Sequence, residues 1–167
     1  DFLELDLQPL GERLAVIGSP IAGSSLSFFL QLAGRRMIAE LIFKNFNTFR
    51  LLLKKAAPLI CRHPDFPEII DRDLSKTNLE SFLNSIHSLH KVDLREEISA
   101  LKIPVLGIYG NRDNIVSPRQ YKPLYSAIPQ AQIELFPGSG HFIMLEEPQS
   151  FIHLIREFIN QEPQSNL

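Results

Sequence analysis

The stretch "GIYGNRDNIVSP", residues 107–118, runs out of an apolar segment into a polar turn and places a carboxylate, Asp113, just beyond it. The run that feeds it, "IPVLGIYG" (103–110), is short, β-branched and apolar, as expected for a strand buried on both faces of a parallel sheet. Two more runs read the same way: "RLAVIGS" (13–19), closed by Gly18 and Pro20, and "AQIELFPG" (131–138). Between the second and third lie helix-start signals, with Ser117 as N-cap, Pro118 at the first position and Gln120 completing a capping box. The segment therefore reads as strand, helix, parallel strand, with Pro123 expected to kink or shorten the helix.

From Ser24 to about residue 101 there is no strand pattern, only helix patterns, near 25–33, 36–45 and 48–57 among others, and the proline-rich break "CRHPDFPEI". Thr77 and Glu80 form a capping box ahead of Leu79, Phe82, Leu83 and Ile86, which share one helical face. Asp93 and Glu96 repeat the device. A last helix is expected from Pro148, with Phe151, Leu154, Ile155, Phe158 and Ile159 facing a sheet. The fold class is thus α/β: about three parallel strands with flanking helices, interrupted by a helical insertion. The units are 1–23 (start of the core, with one strand), 24–92 (the helical insertion), 93–162 (the rest of the core) and a polar tail, 163–167.

The 167 residues suit one domain with a real core. The chain is 44% hydrophobic and 22% charged with a net charge of −2, a soluble globular balance without the positive field that nucleic acid requires. No apolar stretch reaches the roughly 18 residues of a membrane span, and no basic-then-apolar leader is visible. The lone cysteine, Cys61, cannot form an internal disulfide, which fits a reducing, cytoplasmic setting. The chain opens on Asp1 and not on methionine, which reads as a piece of something longer.

In open α/β sheets, working residues gather where loops leave the carboxyl ends of strands. Asp113 follows the second strand, and His141 follows the third in "PGSGHFIMLEEP" (137–148). Taken singly, each has a plain explanation: aspartate is a turn former, and a histidine after Gly-Ser-Gly sits at the surface. Together they are what acyl transfer needs, because an imidazole titrating near neutrality can take and return a proton while a carboxylate holds its tautomer.

The segments "LKIPVLGIYGNRDNIVSP" and "IPQAQIELFPGSGHFIMLEEPQSFIHLIREFI" resemble the C-terminal part of the α/β-hydrolase family over residues 101–159. On that resemblance "RLAVIGSP" is similar to the family's sixth strand and residues 24–92 to its cap. The resemblance implies that Asp113 is the triad acid and His141 the triad base, with no cofactor and no metal. Some members carry the acid after the sixth strand, but residues 19–39 hold no Asp or Glu.

The family's nucleophile sits in a G-x-S-x-G turn upstream of the acid. This chain has none: "GSPIAGSS" puts Ser19 directly after Gly18, and Ser19, Ser24 and Ser25 read as a strand end and helix caps. The expected partners are therefore a small hydrophobic ester-like substrate and a missing N-terminal half of the same protein, without which the chain is expected to be inactive. The strand at 13–19, interior in the family, is expected to leave a bare apolar edge prone to aggregation. Phe28, Phe46 and Phe82 in the insertion are candidates for one wall of an apolar substrate pocket, against the ordinary reading of helix packing. His87 and His90 lie three apart with no third ligand in view, and they, His63 and His153 read as helix-face or loop residues. Carbon–carbon, epoxide or haloalkane hydrolysis is the neighbouring chemistry. A non-catalytic ligand receptor or interaction module on the same fold is the alternative of a different kind.

Overall fold

A computed structural model describes residues 12–22 and 27–161. Ser24 and Ser25, expected as caps, the start at Asp1 and the tail at 163–167 lie outside the described residues. In chain order the elements are β1 (Leu14–Ile17), α1 (Phe28–Ala33), α2 (Arg36–Lys44), α3 (Phe46–Ala56), α4 (Phe66–Leu74), α5 (Leu79–Lys91), α6 (Arg95–Ser99), β2 (Val105–Gly110), α7 (Tyr121–Ala127), β3 (Gln132–Phe136), α8 (Ile143–Glu146) and α9 (Pro148–Asn160). The strands form one parallel sheet in the order β1-β2-β3, with Leu14 opposite Val105 and Leu106 opposite Gln132.

The central strand explains the layering. Every residue of β2 is buried, and alternate side chains enter different cores, as the period of two requires. Val105 and Tyr109 pack with Ile21, Ile98, Leu124 and Ile128, from the α6 and α7 side. Leu106 and Ile108 pack with Phe136, Ile143 and Phe158, and Phe151, Leu154 and Ile155 of α9 lean on them. Full burial of each such aliphatic side chain is worth about 1.5–3 kcal/mol, so the unbroken apolar run is the main reason that helices cover both faces. β1 pairs only with β2, and among the described residues its other side has no ladder partner.

Several local expectations need correction. Gln120 closes no capping box: Ser117 Oγ accepts from Arg119 N, while the Gln120 side chain turns inward to the loop after β1. Pro118–Gln120 form a 3-10 turn and Pro123 falls in the first turn of α7, where its missing N–H costs no helical bond and no kink is needed. The box before α5 is shifted by one residue, Asn78 and Ser81 exchanging the two bonds expected of Thr77 and Glu80. Asp93 binds Arg95 instead of pairing with Glu96. The break "CRHPDFPEI" ends early, with α4 starting at Phe66 and Pro67 inside its first turn. α1 is capped by Ser27, whose Oγ accepts from Leu30 N. In α9, Ile159 points outward, 59% exposed.

A third apolar cluster joins the helical block to the chain after β3. Ala57, Cys61 and Phe66 pack with Ile60, Ile70, Phe142 and Leu145.

Candidate active site

β2 ends at Gly110 and β3 at Phe136, neighbours in the sheet, so their loops rise side by side. The β2 loop folds back on itself through Asp113 N to Gly110 O, at 3.1 Å. It is stitched to the β3 loop by Asn111 N to Phe136 O and Arg112 N to Ser139 O, both 3.0 Å. Small residues are required here. A β-carbon on Gly110 would lie 2.1 Å from the Gly140 carbonyl oxygen and 2.5 Å from that of Ser139.

The stitching brings the two expected residues together. His141 Nδ1 lies 2.8 Å from Asp113 Oδ2, with the carboxylate side chain 2% exposed and the imidazole 25% exposed. Asp113 Oδ1 accepts from Ile115 N at 2.8 Å and Val116 N at 2.9 Å. One oxygen therefore makes the turn and the other faces the imidazole. With the carboxylate accepting at Nδ1, the neutral ring carries its proton there and leaves Nε2 free to accept one.

Other residues position the pair without a sequence signal that singles them out. Gly18, the turn after β1, has φ +54, and a β-carbon there would sit 3.4 Å from the imidazole. Gln120 Oε1, in a side chain 6% exposed, accepts from Ile21 N at 2.6 Å and Ala22 N at 3.0 Å and so holds the chain that leaves Gly18. Ser139 Oγ donates to Glu147 Oε1 and Gly140 N to Glu146 Oε2, each at 2.5 Å. Phe142 meets the His141 ring edge-on, centroids 5.1 Å apart, and packs on Phe66 at 4.6 Å.

The aromatic candidates divide. Phe46 stacks on Phe43 at 4.3 Å, and Phe82 lies 5.8 Å from the same ring, so the two share one aromatic cluster among the helices. Phe28 opens α1 and is 79% exposed. Ser19 Oγ donates to Ile17 O at the strand end. His87 and His90 are exposed on α5, His63 Nδ1 accepts from Asp65 N, and His153 faces Glu157 on α9. Among the described residues no cluster of three or more His, Cys, Asp or Glu is placed to hold a metal, and no helix is long and apolar enough to cross a membrane.

No family model matches the chain. A pimeloyl-[acyl-carrier protein] methyl ester esterase of Vibrio vulnificus is 33% identical over 81 residues, 48% of this chain and 32% of that protein. The AB hydrolase superfamily protein YisY of Bacillus subtilis is 36% identical over 83 residues, 48% of this chain and 31% of that protein. The chain thus spans about a third of the length of the curated relatives it matches. Among solved structures, the α/β-hydrolase MGS-M2 from a deep-sea metagenome library matches 90% of this chain and 57% of its own, with 21% identity and a TM-score of 0.67. A thermophilic esterase from Thermogutta terrifontis matches 89% of this chain and 55% of its own, with 22% identity and a TM-score of 0.65. With its three-stranded parallel sheet and flanking helices, the chain has part of the α/β-hydrolase fold, and over about half its length it is similar in sequence to curated α/β-hydrolase proteins.

Proposed function

We propose that Asp113 and His141 are the acid and base of a Ser-His-Asp hydrolase acting on an ester or related acyl bond, and that its nucleophile lies in a segment outside this chain. The observation that carries this reading is the 2.8 Å contact between His141 Nδ1 and a carboxylate that is buried and held by two backbone amides. Such an acid is oriented before substrate arrives, the condition under which positioning lowers a barrier most. The serine hydroxyl would give its proton to His141 Nε2 as its oxygen attacks the carbonyl carbon. The imidazolium, stabilised by Asp113, would then return the proton to the leaving alcohol, and water would repeat the cycle on the acyl-enzyme. No cofactor enters.

On this reading residues 24–92 are a cap whose apolar surface, with Phe28 exposed upon it, forms one wall of the pocket for a hydrophobic acyl group or alcohol. The open side of β1 meets a neighbouring strand of the same protein. The isolated chain then has no turnover and associates through that edge. A fluorophosphonate probe that labelled the purified 167-residue chain would contradict the placement of the nucleophile.

The deciding experiment uses the protein extended through its upstream reading frame. His141→Ala should abolish hydrolysis of short p-nitrophenyl esters, and unchanged rates would remove His141 from the chemistry. An upstream turn that lacks a nucleophile would instead favour a ligand receptor on the same fold.

A further inference from the structure

Glu146 is the last residue of α8, and its carboxylate reaches in two directions. Oε2 accepts from the amide of Gly140, the peptide neighbour of His141, at 2.5 Å. Oε1 accepts from the amide of Arg62, in the loop between α3 and α4, at 2.9 Å. The same loop touches the turn at other points. The Ile60 carbonyl oxygen would lie 3.0 Å from a β-carbon on Gly140, and the Leu59 carbonyl accepts from Asn114 Nδ2, beside Asp113, at 3.4 Å. Phe66 packs on Phe142, the residue after the base.

We propose that Glu146 is a positioning residue that ties the turn bearing His141 to residues 59–62, so that the seating of the helical block sets the placement of the imidazole. The proposal rests on the hydrolase reading for its functional meaning but not for its geometry. Two donors on separate elements, each served by its own carboxylate oxygen, make the link specific to an ionised side chain of this length. Glutamine offers one acceptor and turns an NH2 group toward the second donor, so E146Q breaks one half of the link while keeping size and shape.

The test combines kinetics of the full-length protein with hydrogen exchange. E146Q should lower kcat for p-nitrophenyl acetate roughly tenfold to a hundredfold, the upper end being what a misplacement of about 1 Å can cost. KM should hold close to the parent, the melting temperature should fall by no more than the loss of one hydrogen bond implies, and exchange should speed up at the amide of Gly140 or Arg62. His141→Ala in the same assay reports on the hydrolase reading alone: if it leaves activity intact, that reading fails, and the link is then judged by exchange only. If His141→Ala is inactive and E146Q keeps parental kcat and parental amide protection, the positioning role is overturned and the hydrolase reading stands. Should E146Q not fold, the parent protein decides: both amides must be protected, and free-peptide exchange at either one overturns the link.

Discussion

The Cα of Gly110 and the carbonyl oxygen of Gly140 approach so closely that a methyl group between them would sit 2.1 Å from that oxygen. This contact places the loop of β3 over the end of β2 and sets the separation of Asp113 and His141.

Gly110→Ala should therefore act on the site and on stability together. The new β-carbon meets backbone, which cannot rotate away, and overpacking of this kind costs about 1–3 kcal/mol. Urea unfolding reads the stability, and the Nδ1 proton resonance of His141 reads the pair. A variant with parental midpoint and resonance would show that the loops are not in contact as described.

Asp113 separates two roles by atom. Asp113→Asn keeps an acceptor for the Ile115 and Val116 amides but presents an NH2 group to the imidazole, so the fold should persist, and on the proposed hydrolase reading ester hydrolysis by the upstream-extended protein should fall by about 10⁴. Asp113→Ala loses the turn bonds as well and should also lower stability, by about 1–3 kcal/mol. Equal stability of the two variants would show that Oδ1 has no structural part.

Gln120 is tested by Gln120→Leu, which fills similar space but removes the oxygen that accepts from the amides of Ile21 and Ala22. Ile21 is 2% exposed, so water cannot easily replace the bond there, and a loss of about 1–3 kcal/mol is expected in thermal or urea unfolding. No loss would mean that the Ile21 amide finds another partner.

Tyr109 predicts the opposite sign. The residue is 1% exposed, its hydroxyl has no hydrogen-bond partner among the described residues, and burial pushes its pKa above the ordinary tyrosine value. Tyr109→Phe removes a desolvated polar atom without opening a cavity, so stability should be unchanged or higher. A clear drop in the unfolding midpoint would reveal a partner for that hydroxyl.

Cys61 should be slow to label. It is 1% exposed, and burial raises its thiol pKa, so at any given pH it carries less thiolate than a free cysteine. DTNB at pH 8 should react at once in guanidinium and slowly in buffer. Equal rates would show that the cluster with Phe66 and Phe142 is open.

The primary structure determined the strands, the helical block and the candidacy of two residues. Val105 to Gly110 must be central because an uninterrupted apolar run cannot be satisfied at a surface, and Asp113 and His141 stand out because each follows a strand, although β3, with Gln132, Glu134 and Leu135 exposed, is not buried on both faces as expected. Capping was less legible: Thr77 against Asn78, or Gln120 as a box partner, are choices among adjacent polar residues with nearly equal local energies. What only the tertiary structure decided is which of those side chains look inward and how far apart the loops stand. Gln120 meets Ile21 across 99 positions and Glu146 meets Arg62 across 84, and no local pattern encodes such bonds. They exist because burial of both faces of β2 draws distant loops together, where an unpaired amide must find an acceptor.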